Sequence, residues 1–201
     1  MKETRDQIVL LADQLIRTQG FNAFSYADIA GPMAIRRPAV HHYFPVKSDL
    51  GISVIDNELE RIAHQKQEIR DLPGDQQLKS IVEAFYFHHR KGYICLTGSL
   101  TPDYMTLPPA MQHSVQQMCE TTLDLAADAL EKGRKEGNLQ FSGTASDRAL
   151  LVLSTLLSSL LLSRVLKDNI FDRMIDQLFI DLGSSIRVSQ FPEYTLSPSK
   201  P

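Results

Sequence analysis

The sequence predicts an all-α protein of about nine helices, with three short ones at the N-terminus and a larger helical body after them. Apolar residues recur at three- and four-residue intervals along most of the chain, and strand-like alternation is almost absent. Glycine and proline punctuation falls between the periodic segments. The 201 residues exceed the usual size of one domain only slightly, so they allow one larger core or a small module joined to a bigger one.

The first helix carries Ile8, Leu11, Ala12, Leu15 and Ile16 on one stripe and stops at Gly20. Ser25, with Asp28 three residues later, reads as an N-cap with a capping-box partner, opening a second helix that Gly31-Pro32 must end early. Pro38 suits the first turn of a third, running to His42 or Phe44 before Pro45. A long fourth helix starts near Lys47, with Ile52, Ile55, Leu59 and Ile62 in phase, and the Leu72-Pro73-Gly74-Asp75 break ends it.

Leu78, Ile81, Val82 and Phe85 mark a fifth helix that stops near Gly92. Thr101-Pro102-Asp103 has the pattern of an N-cap followed by proline and an acidic first turn, which predicts a short sixth helix there. Pro108-Pro109 resets the chain. Met111, Val115, Met118, Thr122, Leu125 and Ala129 then form the stripe of a long seventh, ending at Gly137-Asn138. The eighth is expected from about Thr144 to Leu166. The ninth carries Phe171, Ile175, Leu178 and Leu182 and is expected to reach about Arg187. The domains expected are 1–50 for the head, with helix 4 (47–71) connecting, 51–188 for the body, and a polar, Pro-rich mobile tail at 189–201.

Composition narrows the function. Hydrophobic residues at 43% and charged residues at 22% are ordinary globular values. A net charge of −3 excludes indiscriminate binding to polyanions, so any nucleic-acid surface must be local. Cys95 and Cys119 are too few for a disulfide framework, and MKETRDQIVL has no apolar signal region, so a cytoplasmic protein is expected. The apolar stretch Ala149 to Leu162 is shorter than the roughly 20 residues that span a bilayer, so it is read as a buried helix and no membrane partner is expected. No nucleophile elbow, phosphate-cradling loop or paired catalytic carboxylate stands out; no enzyme activity, catalytic residue or cofactor is expected. His41-His42 and His88-His89 are adjacent pairs without a third ligand at zinc-site spacing, so no metal is expected.

The short helices 2 and 3, joined by a turn around Met33-Ala34-Ile35, have helix-turn-helix spacing. In helix 3, Val40 and Phe44 share one face, while Pro38, Ala39, His41 and His42 point away, with Arg36 and Arg37 just before them. Such a helix can seat itself by its apolar face and offer base edges the other. The first fifty residues carry six basic side chains (Lys2, Arg5, Arg17, Arg36, Arg37, Lys47) against five acidic ones (Glu3, Asp6, Asp13, Asp28, Asp49). The basic excess is therefore slight, but Arg36, Arg37 and Lys47 cluster on the expected reading surface.

The stretch from Thr4 to about Leu50 resembles the DNA-binding domain of the TetR family of bacterial transcriptional regulators. It does so through the amphipathic first helix, Gly20-Phe21 with Ser25, Ile29-Ala30, Ile35, Val40 with Phe44, and Pro45 with Lys47 and Leu50. The resemblance implies that Arg37, Pro38, Ala39 and His41 meet bases, with Arg36 beside them, and that Tyr26, His42, Tyr43 and Lys47 hold phosphates. Arg37 would read guanine bidentately, and Ala39 would touch a thymine methyl. The chain departs from the pattern at Ala34, usually glycine, at Pro32, where helix 2 normally continues, and at His41, commonly tyrosine.

The resemblance further implies a homodimer through helices 8 and 9 on a palindromic DNA operator, with repression released by a small-molecule effector. Leu150, Leu151, Leu153, Leu156, Leu157, Leu160, Leu161 and Leu162 cover more of helix 8 than one contact buries, which independently asks for a second partner surface. Candidate ligand contacts are Phe85, His88, His89, Tyr104, Met111, Val115, Met118 and Leu156. Cys95, in a segment resembling a TetR subgroup with a cysteine at the helix 5 to 6 junction, makes a thiol-based electrophile or oxidant sensor the alternative. A helical dimeric ligand-binding protein that has lost DNA binding, motivated by Ala34 and Pro32, is a further one.

Overall fold

The protein was analysed as a computed structural model, which describes residues 2–166 and 169–193. Among the described residues there are nine α-helices, two 3-10 turns and no strand. The helices are α1 (Lys2–Gln19), α2 (Tyr26–Ala30), α3 (Arg37–Tyr43), α4 (Lys47–Ile69), α5 (Gly74–Arg90), α6 (Leu96–Leu100), α7 (Pro109–Glu136), α8 (Ala145–Val165) and α9 (Ile170–Asp181). The chain divides into two compact units, residues 1–62 with 96–119 and residues 63–95 with 120–201.

In the first unit α1 packs against α2 and α6, and α2 against α3. Ile8, Ala12 and Ile16 of α1, Ile29 of α2, Val40 of α3, Leu50 and Ile55 of α4, and Leu96 and Leu100 of α6 are buried here. Gly51 makes room for its neighbours: a Cβ there would lie 2.6 Å from Met111 Cε and 2.8 Å from the Phe21 ring. The sixth helix differs from the sequence expectation. It occupies Leu96–Leu100, while Thr101 donates its hydroxyl to the Thr97 carbonyl at 2.9 Å, ending a helix where it was expected to start one. Burial of Leu96, Thr97, Gly98 and Leu100 decides the placement over the capping pattern of Thr101-Pro102-Asp103.

In the second unit α8 packs on α5 and α9, and α5 on α9. The α4–α5 turn is held from α7. Lys132 Nζ donates to the carbonyls of Arg70 (3.1 Å) and Leu72 (2.7 Å), and the Glu136 carboxylate accepts the Gly74 N–H at 2.7 Å. That bond, followed by one from Asn138, holds the Glu136 carboxyl below the usual carboxylate range. At α8 the Thr144 hydroxyl accepts from the Asp147 N–H at 3.0 Å, an N-cap at the residue where the helix was expected to start.

α9 stops at Asp181, short of the expected Arg187. Gly183, at φ +67°, takes the left-handed conformation and lets the Ser184 N–H reach back to the Phe179 carbonyl at 2.9 Å. The chain then returns through a 3-10 turn, Val188–Gln190, to a buried Phe191. The Phe191 ring meets Tyr86 edge-on at 5.5 Å and Phe179 at 6.5 Å, so the start of the segment expected to be mobile is packed. The rest of that expectation, residues 194–201, lies outside the described residues.

α8 is long and apolar enough by length and composition to cross a membrane, with a third of its apolar window buried within the chain. Ala149, Val152, Leu153, Leu156, Ser159 and Leu160 face the protein interior. Leu150, Leu151, Leu161, Leu162 and Val165 are exposed, as is Ile180 of α9. The expectation of a buried helix is therefore met on one face only.

Candidate nucleic-acid interface

The head is built from short elements, of which α2 is tied at both ends. Ser25 caps α2 as expected: its hydroxyl accepts from the Ala27 N–H, and Asp28 accepts from the Ser25 N–H at 2.7 Å and hydroxyl at 2.8 Å. Those two bonds hold the Asp28 carboxyl below its ordinary range. The turn after α2 closes despite Pro32 and Ala34. The Ala34 N–H donates to the Gly31 carbonyl at 3.0 Å, and the Ile35 N–H reaches the Ala30 carbonyl at 3.1 Å, a Schellman-type closure. Ala34 takes φ +53°, the left-handed conformation that usually selects glycine.

α3 is seated by a fully buried Val40, and Phe44 is buried just after it. Its outward side carries Arg36, Arg37, Pro38, His41 and His42, all exposed, with Ala39 and Tyr43 half-buried. This is the apolar-in, cationic-out division that the sequence predicts. Arg37 and His41 line a concave pocket of about 210 Å³ together with Phe24, Ser25, Tyr26, Pro45 and Lys47. Four of the residues expected at DNA, Tyr26, Arg37, His41 and Lys47, thus share one concavity.

Two of the residues expected at phosphates sit deeper than the rest. Tyr26 is buried, and its hydroxyl donates to the Phe44 carbonyl at 2.7 Å. Burial, and then Asp49, push its phenol up from the usual value. The His41 ring rests on the Tyr26 ring, 4.5 Å between centroids and edge to face. Lys47 is half-buried and donates to the Phe21 carbonyl at 2.6 Å and to the Phe24 carbonyl.

A charged cluster that sequence reasoning did not find supports the head. Arg17, almost wholly buried, donates to Asp13 at 2.9 Å within α1 and to Glu58 of α4 at 2.7 Å, and Arg61 also meets Glu58. Burial alone would drag the guanidinium down, but Glu58 and Asp13 outweigh it and the net direction is up. The visible signal was the Asp13/Arg17 spacing of four next to the buried Ile16.

The candidate ligand contacts divide between the units. Tyr104, Met111, Val115 and Met118 belong to the first, and Phe85, His88, His89 and Leu156 to the second. All except the half-buried Tyr104 and His89 are buried. The His89 ring stacks on Phe171, 4.5 Å apart and 7° from parallel, and burial lowers its pKa against the opposing pull of Asp172. Cys95 is buried, and Cys119 is half-buried with its Sγ 4.0 Å from the Thr97 hydroxyl.

No family model matches the chain. A crystal structure of a TetR-family transcriptional regulator from Agrobacterium tumefaciens superposes with a TM-score of 0.82 at 26% identity, over 90% of this chain and 98% of that one. A TetR transcriptional regulator from Legionella pneumophila gives a TM-score of 0.73 at 24% identity, over 89% of this chain and 96% of that one. The repressor NemR of Escherichia coli K12 is 19% identical over 170 residues, 81% of this chain and 85% of its own. With the capped α2, its tight turn and the cationic outer face of α3, this likeness gives the chain the fold of TetR-family transcriptional regulators, to which it is similar over nine-tenths of its length.

Proposed function

We propose that this chain is a TetR-family regulator, a cytoplasmic repressor that binds a palindromic operator as a homodimer and releases it when a small molecule binds. The observation that carries the reading is the outward face of α3, where two guanidiniums, a proline, an alanine and an imidazole stand clear of a buried Val40. Arg37 has the fork that matches guanine O6 and N7, and half-buried Ala39 offers a methyl-sized surface to thymine. Pro38 and His41 complete the base-facing set. Arg36, His42 and Tyr43 lie at its edges, where phosphates fix register, and Tyr26 supports His41 from below.

The exposed leucines of α8 and Ile180 of α9 support the dimer, because they form an apolar face that the chain alone leaves in water. Two heads related by a twofold axis would meet half-sites about 34–36 Å apart, one turn of DNA. The first positions to vary for the effector are Tyr104, Met111, Val115 and Met118 in the first unit and, separately, Phe85, His88, His89 and Leu156 in the second. A relative that is itself a repressor, NemR, supports the sign of regulation.

The test is selection of duplexes from a random pool. A palindromic consensus with steeply salt-dependent affinity is expected, and its release by a ligand co-purified with the protein. Absence of salt-dependent binding to any duplex would overturn the reading.

A further inference from the structure

We propose that Lys47 is a positioning residue of the reading head: its ammonium gathers the Phe21 and Phe24 carbonyls, fixes the α1–α2 turn on the start of α4, and holds no phosphate. The proposal rests on the DNA-binding reading and reverses the role that the family resemblance implies for this one side chain.

A lysine has three donors and no acceptor. Two of the Lys47 donors are used by the Phe21 and Phe24 carbonyls. Its Nζ also lies 4.8 Å from the Phe21 ring centre and 4.0 Å from that of Phe24, within cation–π range of both. Burial lowers the Lys47 pKa, while Asp28 and Asp103 pull it up, so two carboxylates already answer its charge. The same carboxylates would repel a phosphate placed against that ammonium.

The turn it closes leads directly into the Ser25 cap of α2, and α2 carries α3, so a displaced turn moves the whole base-reading surface. A second tie reaches the same turn. Asn22 donates to the Thr106 hydroxyl at 3.0 Å, and Thr106 in turn donates to the Asp103 carbonyl at 2.7 Å. The segment following α6 thus supplies both a carboxylate near Lys47 and a hydrogen bond to its turn. Phosphates are left to the exposed Arg36 and His42 and to the half-buried Tyr43.

The test compares Lys47→Met and Lys47→Gln with the wild type on a selected duplex and on an unrelated one, over a salt series. A positioning role predicts that Lys47→Met weakens selected binding about tenfold or more while the salt slope and unrelated binding stay as they were. The Gln variant, a neutral donor, should recover part of the loss. A uniform loss on both duplexes, with the slope reduced by about one in both variants, would make Lys47 a phosphate contact and overturn the proposal.

Acetylation footprinting of the wild-type protein judges the same point without a variant. Lys47 should be protected in the free protein and unchanged by DNA; a free Lys47 that reacts readily and is shielded only by DNA would refute the assignment. Should the wild type bind no duplex, the DNA reading fails separately, and the footprint of the free chain still decides what Lys47 does.

Discussion

Replacing Ala34 by glycine should stabilise the protein. An L-residue in the left-handed region costs roughly 1–2 kcal/mol, and Ala34 sits there at φ +53°. Glycine removes that strain but gives the unfolded chain more freedom, a loss of about 0.4–1 kcal/mol. Ala34 is exposed, so little packing goes with its methyl. The net gain is about 0.5–1 kcal/mol, or about 1–4 °C in Tm for a chain of this size. Thermal unfolding at equal chain concentration measures it, because the Tm of the proposed dimer would depend on concentration. Ala39→Gly is the control: the same atoms are removed from within α3, and about 1 kcal/mol should be lost. A lowered Tm for Ala34→Gly would show that the methyl group or the conformation at this turn has been misjudged.

Three other outcomes follow from the packing. Arg17→Met leaves Asp13 and Glu58 facing each other with only Arg61 to answer them, and urea unfolding should show a loss of about 3 kcal/mol. His89 has a lowered pKa in the fold, so the native state resists its protonation: stability is full above the unfolded value of about 6.5 and falls as pH drops through the lower folded one. His89→Phe keeps a ring on Phe171 and should reduce the loss of stability as pH falls below about 6.5; an unchanged profile would remove His89 as a cause. Leu151→Asp places a charge on the exposed α8 face, so sedimentation should find monomer in place of the proposed dimer; a variant as dimeric as the wild type would put the interface elsewhere.

Most of the helical layout was legible because apolar stripes mark the longer helices and glycine, proline or a Ser25-type cap marks where the early ones begin or end. Ser25 with Asp28, and Pro38, act as their spacing implies. The sixth helix was not legible. Thr101-Pro102-Asp103 has a good starting pattern, but buried Leu96 and Leu100 against α1 outweigh it, and local capping is worth less than such burial. The end of α9 was misplaced for a similar reason: the apolar pattern runs on through Ile186 and Val188, whereas Gly183 turns the chain back.

At the interface, exposure of Arg36, Arg37, His41 and His42 followed from the position of Val40 alone. What sequence could not give was depth. Tyr26 and Lys47 carry polar tips that read as surface groups, and only the fold shows those tips satisfied by main-chain carbonyls. The Arg17 cluster was hidden in the same way, since its partner Glu58 is 41 residues away along the chain.

The central claim is that the exposed face of α3 reads DNA sequence, and Arg37→Ala tests it most directly. Fluorescence anisotropy on the selected operator and on an unrelated duplex, at fixed salt, should show a specific loss of about 1–3 kcal/mol, roughly five- to 150-fold, with discrimination relaxed at one base position in each half-site. Equal affinity and unchanged discrimination in the folded variant would contradict it.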